Sequence, residues 1–185
     1  MTSEGKLTTE NQVNRRALIT GAFRPTKPES KIIRPPGAVA QKSFFESCDG
    51  CGDCAEACPA DAIIMQGPRQ RNGDRSPEIR VNDNPCIMCV GLQCTSSCPT
   101  GALQPVVPET MHMGRIEFNA SVCWASQGLD PGCNYCFDRC PLKGKAITYR
   151  QNVGPEINND VCTGCGTCVY YCPSQPKALT LRPME

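Results

Sequence analysis

Apolar residues in this chain come in short runs rather than the long periodic stretches of an ordinary core. Ala62-Ile63-Ile64, Ala102-Leu103, Ala146-Ile147 and Ala178-Leu179 are brief apolar pairs or triplets. Glu78-Ile79-Arg80-Val81 and Arg115-Ile116-Glu117-Phe118 alternate polar with apolar, the period of a half-buried strand, and Pro155-Glu156-Ile157 is a turn-bounded strand of similar length. Between these runs lie four cysteine-rich stretches, each ending in Cys-Pro, at Pro59, Pro99, Pro141 and Pro173. The pattern predicts a unit of strand, cysteine loop, short helix and strand, repeated four times. The last cysteine of one group lies 28, 25 and 22 residues before the first of the next, room for strands and a turn but not for another domain. Pro68 to Pro77, with Gly67 and Asn72-Gly73, is the most loop-like connection. The fold class these elements predict is α+β.

Composition explains why the runs can be so short. Ten aromatic residues in 185 make a thin core, while sixteen cysteines exceed 8% of the chain. Something other than apolar packing must hold the body together. Charge divides the chain: residues 1–47 hold eight Lys/Arg against four Asp/Glu, and the remainder eleven against fourteen. The sequence therefore reads as a basic arm over residues 1–43 and a body over 44–185. The arm lacks aromatic interleaving and any nucleic-acid-binding motif, so nucleic acid is not an expected partner. It is a solvated tail or a docking arm for an acidic partner or membrane surface.

The cysteines fall into four groups with none left over: Cys48, Cys51, Cys54, Cys58; Cys86, Cys89, Cys94, Cys98; Cys123, Cys133, Cys136, Cys140; and Cys162, Cys165, Cys168, Cys172. The first and fourth follow the spacing C-x2-C-x2-C-x3-C-P of bacterial ferredoxins, in which three thiolates wrap one cubane and the fourth ligates another cluster. The second group widens one gap to four residues, and the third inserts nine residues between Cys123 and Cys133. Neither change removes a ligand, and the bulges predict unequal potentials. Gly50, Gly52, Gly164 and Gly166 suit tight turns that bring backbone N–H groups to the sulfurs. Four [4Fe–4S] clusters on sixteen cysteines follow, and with them electron transfer.

Two rival uses of cysteine fit less well. Four-cysteine zinc sites usually join two short pairs across a longer loop, whereas the first and fourth groups pack four cysteines into eleven residues. A disulfide scaffold calls for export. Arg15-Arg16 before the apolar run Ala17 to Phe23 resembles a twin-arginine start, but the run meets Arg24-Pro25 after seven residues. A cytoplasmic location is expected, with twin-arginine export to the periplasm as the alternative. No stretch approaches the roughly 20 apolar residues of a membrane span, so membrane association is expected only through a partner.

Residues 34–183 resemble the MauM/NapG class of ferredoxin-type proteins, and more loosely NapF. The likeness is carried by Arg34-Pro35-Pro36-Gly37-Ala38, Pro85-Cys86-Ile87-Met88-Cys89, Cys98-Pro99-Thr100-Gly101-Ala102-Leu103, Met113-Gly114-Arg115-Ile116, Cys123-Trp124, Cys133-Asn134-Tyr135-Cys136, Cys140-Pro141, Lys145-Ala146-Ile147 and Cys162-Thr163-Gly164-Cys165-Gly166. The resemblance implies tandem bacterial-ferredoxin-like repeats forming two pseudo-symmetric dicluster modules behind an extended arm. It also implies a place in the electron supply or maturation of a respiratory enzyme such as periplasmic nitrate reductase. The implied partners are redox proteins, a respiratory oxidoreductase and a membrane quinol-oxidising iron–sulfur protein among them. Two alternatives to a relay stay open: a maturation factor for a molybdenum enzyme, and a tightly bound subunit of a larger oxidoreductase.

The wider family of sixteen-cysteine subunits implies that the first group pairs with the fourth and the second with the third. One cube would then take Cys48, Cys51, Cys54 and Cys172, and its neighbour Cys162, Cys165, Cys168 and Cys58. The others would take Cys86, Cys89, Cys94 with Cys140, and Cys123, Cys133, Cys136 with Cys98. Sequential pairing, first with second and third with fourth, is the alternative, since crossover alone does not fix which groups pair.

The remaining polar residues suggest little chemistry. His112 is the single histidine, which excludes a two-histidine Rieske centre and leaves an exposed or structural role. Asp49, Asp53, Glu56 and Asp61 read as surface charge. Trp124, Tyr135, Phe137, Tyr170 and Tyr171 lie in or beside cysteine loops and are expected to shield the clusters. No nucleophile constellation, phosphate loop or dinucleotide fingerprint occurs, so no catalytic residue is assigned and the chain is read as a carrier rather than an enzyme.

Overall fold

The computed structural model describes residues 32–67 and 75–184. The basic arm up to residue 31, with its Arg15-Arg16 pair, lies outside them, as does most of the Pro68 to Pro77 connection.

Each expected unit appears, in reduced form. Helices α1 (Gln41–Ser47), α2 (Asp53–Glu56), α3 (Gln93–Ser96), α4 (Tyr135–Asp138) and α5 (Thr167–Tyr170) alternate with strands β1 (Ile63–Met65), β2 (Pro77–Ile79), β3 (Gly114–Phe118), β4 (Ile147–Arg150), β5 (Gly154–Ile157) and β6 (Leu179–Pro183). Helices α2 to α5 are single turns that each carry a cysteine. One turn of helix is unstable in isolation, so tertiary contacts must hold these four in place. Gly166 shows how one is started: it caps α5 at φ +84°, and a Cβ there would lie 2.3 Å from Val81 Cγ1.

The strands pair in three antiparallel ribbons. β1 pairs with β2, Ile63 opposite Ile79, and β4 pairs with β5, Ile147 opposite Ile157. These two ribbons join the first cysteine group to the second and the third to the fourth. β3 pairs with β6, Ile116 opposite Leu181, closing the C-terminal half from its two ends. Alternation along β3 and β6 puts Ile116, Leu179 and Leu181 in the core and Arg115, Glu117 and Thr180 outside. Asn159 extends this ribbon by pairing with Ile116 as a strand would: its Oδ1 accepts from the Ile116 N–H at 2.8 Å and its Nδ2 donates to the Ile116 carbonyl at 3.1 Å.

The N-terminal half closes the same way, by a single bridge between Ala38 and Leu103. The strand expected at Ala102-Leu103 shrinks to this bridge because Pro35, Pro36 and Pro105 remove backbone donors on both sides. Two hydrogen bonds remain, Val39 N–H to the Ala102 carbonyl at 3.1 Å and Gln104 N–H to the Gly37 carbonyl at 2.8 Å. The approach is so close that a Cβ on Gly37 would stand 2.0 Å from the Gln104 carbonyl oxygen. Each half is thus a module of two cysteine groups, with α2 packed on α3 in one and α4 on α5 in the other.

The division of arm from body lies earlier than residue 43. Residues 32–43, expected in the arm, belong to the body: Ile33 and Arg34 are buried and the chain runs on into α1. In α1, Phe44 is fully buried under the Arg34 guanidinium, whose Cζ is 4.5 Å from the ring centroid. Arg34 also donates from Nη1 to Ser76 Oγ and the Pro77 carbonyl at 2.9 Å each, tying the segment to β2.

Candidate iron–sulfur sites

Four cavities of similar size are lined by four cysteines each. The outer N-terminal quartet is Cys48, Cys51, Cys54 and Cys98, and the inner N-terminal quartet is Cys86, Cys89, Cys94 and Cys58. The inner C-terminal quartet is Cys162, Cys165, Cys168 and Cys140, and the outer C-terminal quartet is Cys123, Cys133, Cys136 and Cys172. All sixteen cysteines are used once. Three come from one group and the fourth crosses over, as the ferredoxin spacing requires.

The grouping corrects the outer-with-outer, inner-with-inner pairing implied for the wider family. Cys172 joins Cys123, Cys133 and Cys136, not the Cys48 group, and Cys98 joins Cys48, Cys51 and Cys54. Cys58 stands with Cys86 and Cys140 with Cys162. The cause lies in the ribbons: β1–β2 and β4–β5 are short antiparallel returns, which set each group beside its sequence neighbour.

Thiols and apolar side chains dominate these linings. Among the described residues no three His, Cys, Asp or Glu side chains are gathered closely enough to bind a single metal ion. The cysteines stand around a space, as a cubane requires and one tetrahedral zinc ion does not. Backbone N–H groups two residues on point to the sulfurs of Cys48, Cys51, Cys86, Cys133, Cys140 and Cys162, and the N–H groups of Ala62 and Leu103 reach Cys58 and Cys98 Sγ at 3.4 Å. Gly50 and Gly164 supply two of these donors as expected, but Asp53, Met88, Tyr135 and Leu142 supply the same contact, so the donor does not depend on glycine.

Burial governs the free thiols. It pushes Cys54, Cys86, Cys94 and Cys136 up to about 12 and Cys140 up to about 11, with neighbouring thiolates adding to the effect in each. Cys98 is the exception: burial would raise it, but the N–H groups of Leu103, Thr100 and Ala102 and the Thr100 hydroxyl outweigh that and bring it below the ordinary thiol value. Such a set ionises together only around positive charge, which the iron of a cluster supplies.

The bulged loops hold their cysteines in line by different means. In the second group Val90 is exposed and Leu92 turns inward, fully buried against the inner N-terminal cavity, in the left-handed region at φ 40°. In the third, the nine-residue insertion folds on itself through Leu129 and Asp130 N–H bonds to the Trp124 carbonyl and lays Trp124 along the cavity. Of the aromatics expected to shield the clusters, Trp124 lines a cavity while itself 36% exposed. Tyr135, Tyr170 and Tyr171 are exposed and line none of the four, and Phe137 packs on Tyr149. His112 is exposed, with Nδ1 3.3 Å from the Cys162 carbonyl, and Asp49, Asp53, Glu56 and Asp61 are all at the surface.

The family description "4Fe-4S dicluster domain" matches residues 47–102 and again, in a second form, residues 131–173. These are the two modules found above, except that the second match omits Cys123 and most of the insertion. The methylamine utilization ferredoxin-type protein MauM of Methylorubrum extorquens is 32% identical over 160 residues, covering 80% of this chain and 70% of that protein. The chain belongs to the MauM/NapG class of ferredoxin-type proteins. MauM of Methylobacillus flagellatus is 34% identical over 126 residues, 66% of this chain and 53% of that protein. The ferredoxin-type protein NapG of Escherichia coli is 31% identical over 145 residues, 71% of this chain and 62% of its own length. The chain therefore spans about half to seven tenths of these relatives. Two dicluster domains in this MauM/NapG-class chain imply four [4Fe–4S] clusters, and sixteen cysteines match them.

The two modules meet through their inner quartets. The Cys86 N–H donates to the Cys165 carbonyl at 3.0 Å, and Thr167 Oγ1 lies 3.5 Å from the Cys86 carbonyl. Thiolate charge acts between Cys54 and Cys94, between Cys86 and Cys165, and between Cys168 and Cys136. The quartets thus follow one another in a single succession: outer N-terminal, inner N-terminal, inner C-terminal, outer C-terminal. Sequence spacing carries no signal for this contact, because it depends on how two modules pack.

Proposed function

We propose that the chain is a one-electron relay in which each quartet holds one [4Fe–4S] cluster and electrons pass along the succession of four. The observation that carries this is the Cys86 to Cys165 hydrogen bond, which sets a ligand of one module against a ligand of the other and makes two dicluster units continuous. The clusters supply the redox chemistry. The chain keeps water from them, fixes their spacing and directs N–H dipoles at their sulfurs. It has no substrate site of its own in this reading.

The donor and acceptor we propose are redox proteins, one of them a respiratory oxidoreductase of the periplasmic nitrate reductase type. The likeness to NapG supports that choice. Any membrane contact is through such a partner; among the described residues no helix is long and apolar enough to cross a bilayer. The proposal keeps the cytoplasm as the compartment, on the short apolar run after Arg15-Arg16, and cell fractionation tests it.

Anaerobic purification followed by iron and acid-labile sulfide analysis is the first experiment. About sixteen of each per chain, with spin-coupled EPR signals on dithionite reduction, is the expected result for four cubanes. Half that iron would confine the relay to one module. Reversible reduction with the clusters retained is expected of a relay, while transfer of iron to an apo-enzyme partner would identify a maturation factor instead.

A further inference from the structure

The four crossover cysteines are each followed by proline and then by a residue that could face the sulfur: Ala60, Thr100, Leu142 and Ser174. Only the two outer quartets have a hydroxyl there, and the two differ. Thr100 is exposed, with Oγ1 3.7 Å from Cys98 Sγ. Ser174 is 2% exposed, and its Oγ is 3.1 Å from Cys172 Sγ.

The direction of the Ser174 hydrogen bond follows from its other contact. A hydroxyl has one proton to give. Ser174 Oγ already accepts the Ala178 N–H at 3.0 Å, so its proton is free for the neighbouring sulfur. When Cys172 is a metal-bound thiolate it has no proton, and O–H to S is the one sense left. Nearby, Lys177 Nζ donates to the Cys172 carbonyl at 2.7 Å and the Tyr170 carbonyl at 2.9 Å, which holds an ammonium charge beside the same ligand. A fixed O–H dipole and a cation both favour the state with one more electron, and more so where water is excluded.

We propose that Ser174, supported by Lys177, is the potential-setting residue of the outer C-terminal quartet, and that its hydroxyl raises the reduction potential of the cluster held by Cys123, Cys133, Cys136 and Cys172. One electron enters on reduction and no bond is made or broken; the proton stays on Ser174. This rests on that quartet holding a cluster, which iron analysis tests independently.

The test is an EPR-monitored potentiometric titration of the full chain, with dithionite as electron source, on Ser174→Thr and Ser174→Val. The two side chains have nearly the same shape and differ in the hydroxyl. With iron and sulfide unchanged, the threonine variant is expected to keep the native midpoints. The valine variant is expected to lower one of the four by a threefold or larger change in its reduction equilibrium, about 30 mV at 59 mV per tenfold. Lys177→Gln should lower the same midpoint and no other. Equal midpoints in the threonine and valine variants would overturn the proposal. Loss of one cluster from Ser174→Thr, Ser174→Val and Ser174→Ala alike, with three retained, would also overturn it and leave Ser174 a structural residue.

Discussion

Left-handed backbone at helix starts is the feature that single residues decide here. Gly166→Ala would meet Val81 and a disfavoured φ together, and the backbone alone costs roughly 1–2 kcal/mol. We expect thermal bleaching of the visible absorption to begin at lower temperature in Gly166→Ala, and Val81→Ala to restore part of the loss by removing the Cγ1 contact while Val81 Cβ stays 2.7 Å away. The thiols give a second prediction at this scale. Burial holds Cys54, Cys86, Cys94 and Cys136 above the ordinary value near 8.5, so in metal-free protein these four favour the fold below that pH and cease to do so as pH rises toward about 12. Iron loading at pH 8 must therefore expel protons. A pH-stat following anaerobic reconstitution should record acid release that scales with clusters formed, and no release would mean the thiols were already ionised.

Elements are where reading from sequence was partly right. The strands expected around Ile79, Ile116 and Ile157 form, and alternation marks the two faces of the Ile116 strand, whereas the Ile79 strand ends before Arg80 and is buried at Pro77, Glu78 and Ile79 alike. Ala102-Leu103 carries the same apolar signal yet makes one bridge, since its partner is a proline-rich segment that looked like part of an arm. Nothing in Arg34-Pro35-Pro36 taken alone shows that Arg34 will be buried over Phe44. Spacing singled out the sixteen cysteines, which the structure gathers into four quartets. Their partition was not, because it depends on which groups the short ribbons fold together. Phe44→Ala in α1 should cost about 3–5 kcal/mol, as expected for a fully buried ring. Limited proteolysis should then cut near residues 32–47 while the C-terminal module resists.

For the whole molecule, the partition itself is testable. Cys172→Ser should disturb the EPR signal of the quartet with Cys123, Cys133 and Cys136 and leave the N-terminal module intact. Cys98→Ser should do the converse. If Cys172→Ser instead disturbed the same cluster as Cys48→Ser, the first and fourth groups would be partners after all. The surface pair Arg182 to Glu117 at 2.8 Å, more than half exposed on both sides, is worth tenths of a kcal/mol at most and should not register in either experiment.

The crossover cysteines also limit how such a chain can change in length. Deleting one group would leave a neighbour with three thiols, as would duplicating a group without its partner leave an unmatched fourth. Deleting or copying a whole module keeps every quartet complete. Gains and losses along this lineage should therefore come in pairs of clusters, and the module, not the single cysteine motif, is the unit that can be inherited intact.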